Sequence, residues 1–587
     1  MAGWPRTGAA EMAFFPEPDL PHGRDLLAEG RSLARDWRLG PSEFLRQAGV
    51  GSEYAFKRAG MAAGRLMQHA QIGYRDTAKS LRAYAGIWES CARQGVTVDR
   101  YGLCLDWSMA VPRDQRKRAQ RGTGMILADV EEFVRLANAA PVAAHFGDFV
   151  LGFPAAVENT QAALAAGSTA IGNLGQYLTF RVPGHDDDIL ATAQTVRALG
   201  LIAAQPERVI VQSNLDDGFA AQFTDLASCL GMVLIERHII GDLVGAEIGH
   251  CYGHHFADPL ARLAFQRALA AVGAAPGTMV YGNTTAYRGR PAANFASLSN
   301  YLLIDAIGQL TRPTGHAINA VPVSENERIP EIDEVIDAQI FAGRMAELAP
   351  AWAGLIDAAP VQALADRIVA GGRAFATATL AGLEKAGVDM TCAFQLLVAL
   401  RRLGARRLEA AFGAGPADPA FPGGRVPVAP ASILSELAEM ADEALRGARP
   451  DLAGLRIMVA TSDVHEHGKM LIEEILRRLD VAVLDGGVST EPAALAAKVR
   501  QLRPDAVAIS TYNGVALEYY LGLRAAGIEV PILIGGRLNQ IPEGSNSSLP
   551  VDVGARLAEA GAVVCRAAAD LAPGLAAVMA KSGRQRD

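Results

Sequence analysis

The sequence predicts an α/β protein in two parts: a TIM-like (β/α)8 barrel followed by a flavodoxin-like, five-stranded sheet. Three observations carry this. Strand-like and helix-like segments alternate over some 300 residues from about Met67, which favours a parallel sheet with crossover helices. A barrel fits that length, and the alternative is one large open doubly wound sheet. After residue 448 the pattern repeats on a smaller scale, as five short apolar strands each followed by a helix.

In the long segment the strand candidates are Ala143–Val150, Arg208–Gln212, Gly231–Ile235, Thr278–Tyr281 and Ala317–Val321. Helices are expected at Thr77–Arg93, Asp129–Ala139, Val157–Ala166, Asp187–Leu199, Phe219–Leu230, Pro259–Val272 and Glu331–Leu348. Residues 1–64 read as a leader with short helices, and 65–412 as the barrel with a helical extension. Residues 413–430 are rich in Pro and Gly and read as a linker or an extended surface excursion. With the helix Ser432–Arg446 they complete a connecting region, 413–448. The last part, 449–587, places strands at Leu455–Thr461, Val481–Leu484, Ala506–Ser510, Pro531–Ile534 and Ala562–Cys565.

Composition narrows the function. Half the residues are hydrophobic and the mean hydropathy is +0.14, enough for large buried cores. The net charge is −8 and no long basic stripe occurs, which argues against nucleic acid as a partner. Six scattered cysteines form no CxxC, which disfavours a zinc ribbon, an Fe–S cluster or a disulfide scaffold and suits a reducing cytoplasm. Prolines at 5, 16, 18 and 21 break the N-terminal stretch, so no signal peptide is expected there. No apolar run is long enough to predict a membrane span.

The residues that carry chemistry begin with Asp463-Val-His-Glu-His-Gly468, directly after the first strand of the smaller sheet. Ligands of open parallel sheets bind outside the carboxyl ends of the strands. There Asp463 can accept a hydrogen bond from one ring nitrogen of His465, leaving the other as a basic, metal-ligating nitrogen. Gly468 is expected to leave room beside the backbone. Ser510-Thr511-Tyr512 ends the third strand and Gly535-Gly536 the fourth, on the same rim. His467 is expected to be an exposed neighbour.

This constellation resembles the cobalamin-binding domain of methionine synthase and the B12-dependent mutases, whose signature is Asp-x-His-x-x-Gly, a Ser-x-Leu-like segment and Gly-Gly. Tyr512 stands where the usual Leu would be. The resemblance implies cobalamin as cofactor, held by Asp463, His465, Gly468, Ser510, Thr511, Gly535 and Gly536. It implies that the dimethylbenzimidazole tail leaves cobalt and threads past Ser510 and Gly535, with His465 taking its place as metal ligand.

Four earlier stretches, Met67–Gly73, Asp106–Arg113, Thr179–Pro183 and Ala320–Pro330, are similar to the barrel subunit of glutamate mutase (methylaspartate mutase). That resemblance spans about residues 65–345. It implies both subunits fused in one chain, adenosylcobalamin as the form bound, and Glu325 near the adenosyl ribose. The family grips a substrate carboxylate with several arginines. Here Gln71 stands at the first, and no arginine falls in Phe146–Pro154; Arg113 can retain a third. Glutamine does not replace a bidentate arginine, so glutamate is not the expected substrate.

The catalytic candidates are Arg113, His145, His185 and Glu325. Asn214, Asp216, Asp186, His238 and Arg288 also fall at expected strand ends, where surface-loop or satisfied-core roles compete. His250-Cys-Tyr-Gly-His-His255 lacks a convincing carboxylate partner and is read as non-metal. The expected activity is an adenosylcobalamin-dependent carbon-skeleton mutase, a homodimer acting on a small-molecule substrate. A corrinoid methyltransferase is the alternative, although the four-helix cap usual there is reduced to one helix. A cobalamin sensor or carrier is a third, for which the barrel is more than is needed.

Overall fold

The computed structural model describes residues 14–581, except 120–121, 183–184, 186, 217–222, 255, 274, 288–289, 326–327, 419–420, 422, 448–449 and 542–549. It is mixed α/β throughout. Strands β1 (Met67–Ile72), β2 (Arg100–Leu103), β3 (Ala143–His145), β4 (Ala170–Ile171), β5 (Ile210–Asn214), β6 (Glu247–Cys251), β7 (Met279–Val280) and β8 (Ala317–Asn319) are all paired in parallel. They form two sheets, ordered β3-β2-β1-β8-β7 and β4-β5-β6. Single parallel bridges, Phe146 to Ile171 and Tyr252 to Val280, join the sheets just past β3 and β6.

The crossover helices begin where the sequence supplies a cap. Asp76, Asp129, Asp187 and Asp258 each accept a backbone N–H at the start of Thr77–Arg93, Val130–Ala137, Asp188–Ala203 and Pro259–Val272. The expected strand Gly231–Ile235 lies instead in a helix, Leu226–Arg237. That helix is buried almost all round, so its apolar run carries no 3.6-residue period. It packs against Ala358–Lys385 so closely that a Cβ on Gly231 would come within 2.5 Å of the Phe375 ring.

Helix Glu53–Ala62, within the expected leader, closes the strands from below. Glu53 takes the Arg100 guanidinium at 2.7 Å, and Lys57 donates to the carbonyls of Thr278 and Gly315 at 2.8 and 2.6 Å. Those residues sit at or just before the starts of β2, β7 and β8. All three charged side chains are buried.

The smaller sheet contains β9 (Arg456–Thr461), β10 (Ala482–Gly487), β11 (Ala506–Thr511) and β12 (Ile532–Gly536). A short antiparallel pair, β13 (Asn539–Gln540) and β14 (Val551–Asp552), precedes the last strand, β15 (Val563–Cys565). The parallel order β10-β9-β11-β12-β15 is 2-1-3-4-5, and its direction switches between β9 and β11.

The described part of 413–430 is docked rather than free. Arg425 donates to the carbonyls of Ala410, Ala411 and Gly415, and Asp225 accepts from the N–H groups of Val428 and Ala429. Among the described residues no helix is long and apolar enough to cross a membrane.

Removing Glu53 strands two buried cations. Glu53→Ala is expected to cost about 3–5 kcal/mol, read as a lower first thermal transition, with Glu53→Gln less severe. An unchanged transition would show that the charges relax into solvent.

Candidate cofactor site and the facing strand ends

β9 delivers Asp463 to the point where the sheet order switches. Its Oδ1 accepts from the His465 Nδ1 at 2.5 Å and from the His465 backbone at 3.1 Å. Its Oδ2 accepts from the N–H groups of Tyr512 and Asn513, at 2.8 and 3.2 Å, and from the Ser462 hydroxyl at 3.0 Å. One carboxylate thus ties the end of β9 to the end of β11. Burial opposes its charge, but His465 and the backbone donors prevail and hold the carboxyl below the usual range. With Nδ1 donating to Asp463, Nε2 is the basic nitrogen of His465.

The glycines serve close approach. A Cβ on Gly468 would lie 2.2 Å from the Ser510 hydroxyl, so the expected room beside Gly468 is taken up by Ser510. Gly536 has φ of +100°, and its Cβ would meet the Thr511 carbonyl at 2.3 Å. Gly535 lies tightly against Cys565. The hydroxyls of Thr511 and Ser489 are buried without a hydrogen-bond partner among the described residues. His467 is half-buried, not exposed as expected.

Two residues here have roles that sequence reasoning missed. The His465 ring lies against Tyr512, with centroids 4.2 Å apart and planes tilted by 37°. The Arg537 guanidinium lies 5.0 Å from the centroid of the same tyrosine ring. Tyr512 occupies the Leu position of the motif, and Arg537 directly follows Gly535-Gly536. Those adjacencies were the available signals.

The ends of β1–β8 face this rim. Glu325, in the turn after β8, is within electrostatic reach of Arg537 and Tyr512. Glu325 is exposed as a residue, yet the surrounding protein desolvates its carboxyl and pushes it up to about 7 against the charge of Arg537. The other end-of-strand groups are unusually unsatisfied. Trp107 Nε1, Asn214 Nδ2, Asn283 Nδ2 and both amide atoms of Asn319 are buried without partners among the described residues.

The remaining candidates do not converge. Arg113 is exposed, and its backbone N–H meets Glu158 at 2.8 Å. The buried arginine nearby is Arg116, whose guanidinium is spent on the carbonyls of Val111, Leu127 and Met109 and on Glu158. A carboxylate clamp at Arg113 is therefore not formed. His145 is buried at the end of β3, its Nδ1 2.9 Å from the Ala170 carbonyl. Burial, with the Arg100 charge, holds it well below its usual pKa and therefore neutral. His185 is half-buried, its N–H bonded to the Val182 carbonyl.

Asp216 accepts from the Gly253 N–H at 2.6 Å, and His238 pairs with Asp242 at 3.0 Å. Asp186, Arg288 and His255 lie outside the described residues. His250 is buried 2.9 Å from Glu236, and among the described residues no group of three or more His, Cys, Asp or Glu side chains is placed to hold a metal.

No family model matches the chain, and no curated protein does. Among solved structures it is similar to a novel cobalamin-binding protein from Desulfitobacterium hafniense DCB-2. That match has 17% identity and a TM-score of 0.18, and covers 34% of this chain and 88% of the other.

The contact between Gly468 and Ser510 is testable by itself. Gly468→Ala is expected to cost about 1–3 kcal/mol through overpacking, and less in a Ser510→Gly background. Additive effects in denaturant unfolding would show that the two positions do not share the space.

Proposed function

We propose that the chain is an adenosylcobalamin-dependent carbon-skeleton mutase acting on a small molecule other than glutamate. The observation that carries this reading is the Asp463–His465 pair at the switch point of a 2-1-3-4-5 sheet, with Glu325 across from it. The eight strands β1–β8 are taken as one (β/α)8 barrel, which the two isolated bridges between its sheets support.

The residues present fit the cofactor. His465 would ligate cobalt through Nε2, and Asp463 would keep Nδ1 protonated and the ring in place. Tyr512 supports the ring face. The partnerless hydroxyls of Thr511 and Ser489, beside the bare backbone of Gly535 and Gly536, would border the nucleotide tail together with Ser510 and Gly468. When bound, adenosylcobalamin supplies the homolytic chemistry that opens a rearrangement by hydrogen abstraction. The chain's part is to hold the substrate between the two sets of strand ends, exclude water from it and keep Glu325 within reach.

Purified protein is expected to bind cobalamin base-off, with histidine nitrogen coupling in the Co(II) EPR spectrum. His465→Ala should abolish that coupling, and Asp463→Asn should weaken binding about 10–100-fold. Coupling that persists in His465→Ala would overturn the ligand assignment. Binding of methylcobalamin with exclusion of adenosylcobalamin would overturn the mutase reading.

The substrate limit has its own test. With Gln71 at one expected arginine and Arg113 exposed, glutamate and 3-methylaspartate should not interconvert. Chromatographic detection of either acid formed from the other by the reconstituted protein would contradict the departure from the glutamate mutase pattern.

A further inference from the structure

Asp463 alone does not fix the His465 ring. The hydrogen bond from Nδ1 to one carboxylate oxygen sets the in-plane direction of the imidazole, but the ring can still turn about that bond. Setting the plane takes a contact with the ring face, and Tyr512 makes one. Its ring lies 4.2 Å from the imidazole, centroid to centroid, with the planes 37° apart.

Tyr512 is itself held from two sides. Its backbone N–H donates to Asp463 Oδ2 at 2.8 Å, so the carboxylate that orients His465 also places the residue that faces it. Its ring meets Arg537, whose guanidinium carbon is 5.0 Å from the ring centroid and which also hydrogen-bonds the tyrosine side chain. The sheet brings Arg537 there. Thr511 pairs with Gly536 in the register of β11 and β12, and the next backbone N–H, that of Arg537, donates to the Thr511 carbonyl at 2.8 Å. The ends of β9, β11 and β12 thus each give one side chain to a line of contacts running from Arg537 through Tyr512 to His465. Tyr512 is 43% exposed, so core packing does not account for a large ring at this position.

We propose that Tyr512 and Arg537 are positioning residues that set the plane of the His465 imidazole and hold it ready for a metal before any cofactor arrives. The proposal deepens the cofactor reading and rests on it in taking His465 as the ligand. Leucine, the usual residue of the motif at this position, has no ring to lie against the imidazole and no π face for a guanidinium. Arg537 acts through Tyr512, and the two form one device. Its benefit is preorganisation, because a ring already in place loses less freedom on binding.

The first measurement needs no cofactor. In the full chain carrying isotope-labelled histidine, NMR signals of the His465 ring protons are identified by their loss in His465→Ala. They are expected to carry the ring-current shift of the Tyr512 face. Tyr512→Leu should remove that shift, Tyr512→Phe should keep it, and Arg537→Met should reduce it. The second measurement is an absorbance titration with aquocobalamin. Tyr512→Leu is expected to weaken binding about 3–10-fold, the size of one aromatic pair, with Tyr512→Phe restoring most of it. Arg537→Met should weaken binding about 2–5-fold, and the double variant Tyr512→Leu with Arg537→Met no more than Tyr512→Leu alone. A general loosening of the rim would instead give additive losses.

Ring-proton shifts unchanged in Tyr512→Leu, a Tyr512→Phe variant no better than Tyr512→Leu, or additive losses in the double variant would overturn the proposal. Circular dichroism establishes that each variant is folded, and if Tyr512→Leu does not fold, the shifts in Tyr512→Phe and Arg537→Met decide. The two readings fail separately. A wild-type chain that shows the shift but binds no cobalamin rejects the cofactor reading while the ring contact stands. Cobalamin bound with histidine coupling, and no Tyr512-dependent shift, rejects the positioning device alone.

Discussion

A parallel sheet sends every strand out at the same edge, so its connecting loops collect on one rim. This chain contains that arrangement twice, and the two rims meet. The loop after β8 brings Glu325 within reach of Arg537 and Tyr512, which leave the other rim after β12 and β11. The chemistry available at the site is set by this opposition. Groups on either rim alone would face solvent, whereas here Glu325 and Tyr512, though exposed as residues, are desolvated by the protein around them. That is the condition under which charges and hydrogen bonds act most strongly on a bound molecule.

Within the smaller rim, Asp463 is the organising residue. Buried carboxylates are costly unless several donors replace the lost water. Asp463 has five, drawn from its own loop and from Tyr512 and Asn513 after β11. The same bonds that hold its charge also fix the His465 ring and the spacing of two strand ends. Gly468 then admits the Ser510 hydroxyl, so the helix after β9 can approach β11. The motif is therefore a packing device as well as a ligand set, because each of its three residues has a structural reason to be what it is.

This explains which parts were legible in the sequence. The Asp463–His465–Gly468 spacing is local, and the strand beneath it is a continuous apolar run, so position and role could be read together. The strands at Met67–Ile72, Arg100–Leu103 and Glu247–Cys251 were missed because they carry His69, Gln71, Arg100 and His250, which break any apolar pattern. Leu226–Arg237 was misread for the opposite reason, being apolar on every face. The polar groups of the larger rim were hardly legible at all. Asn283 and Asn319 belong to no motif, and only the parallel arrangement of β7 and β8 delivers them to one edge. Arg113 shows the converse: an attractive residue at a plausible position whose side chain points to solvent while Arg116 turns inward.

The connection between the two parts changes meaning once its contacts are known. A Pro- and Gly-rich stretch between folded units suggests a tether, whose contribution is an effective concentration. Here Arg425 binds three carbonyls at and beyond the end of Ala393–Phe412, and Asp225 holds the backbone of Val428 and Ala429. The same helix sends Arg406 to Glu473 on the helix that follows His465. The connection is thus laid along the larger part and braced against the smaller one. A strut of this kind favours one relative placement of the two rims instead of many. Any separation of the two rims to admit a large ligand must therefore break identifiable contacts, such as Arg406–Glu473, and cannot come from slack in the chain.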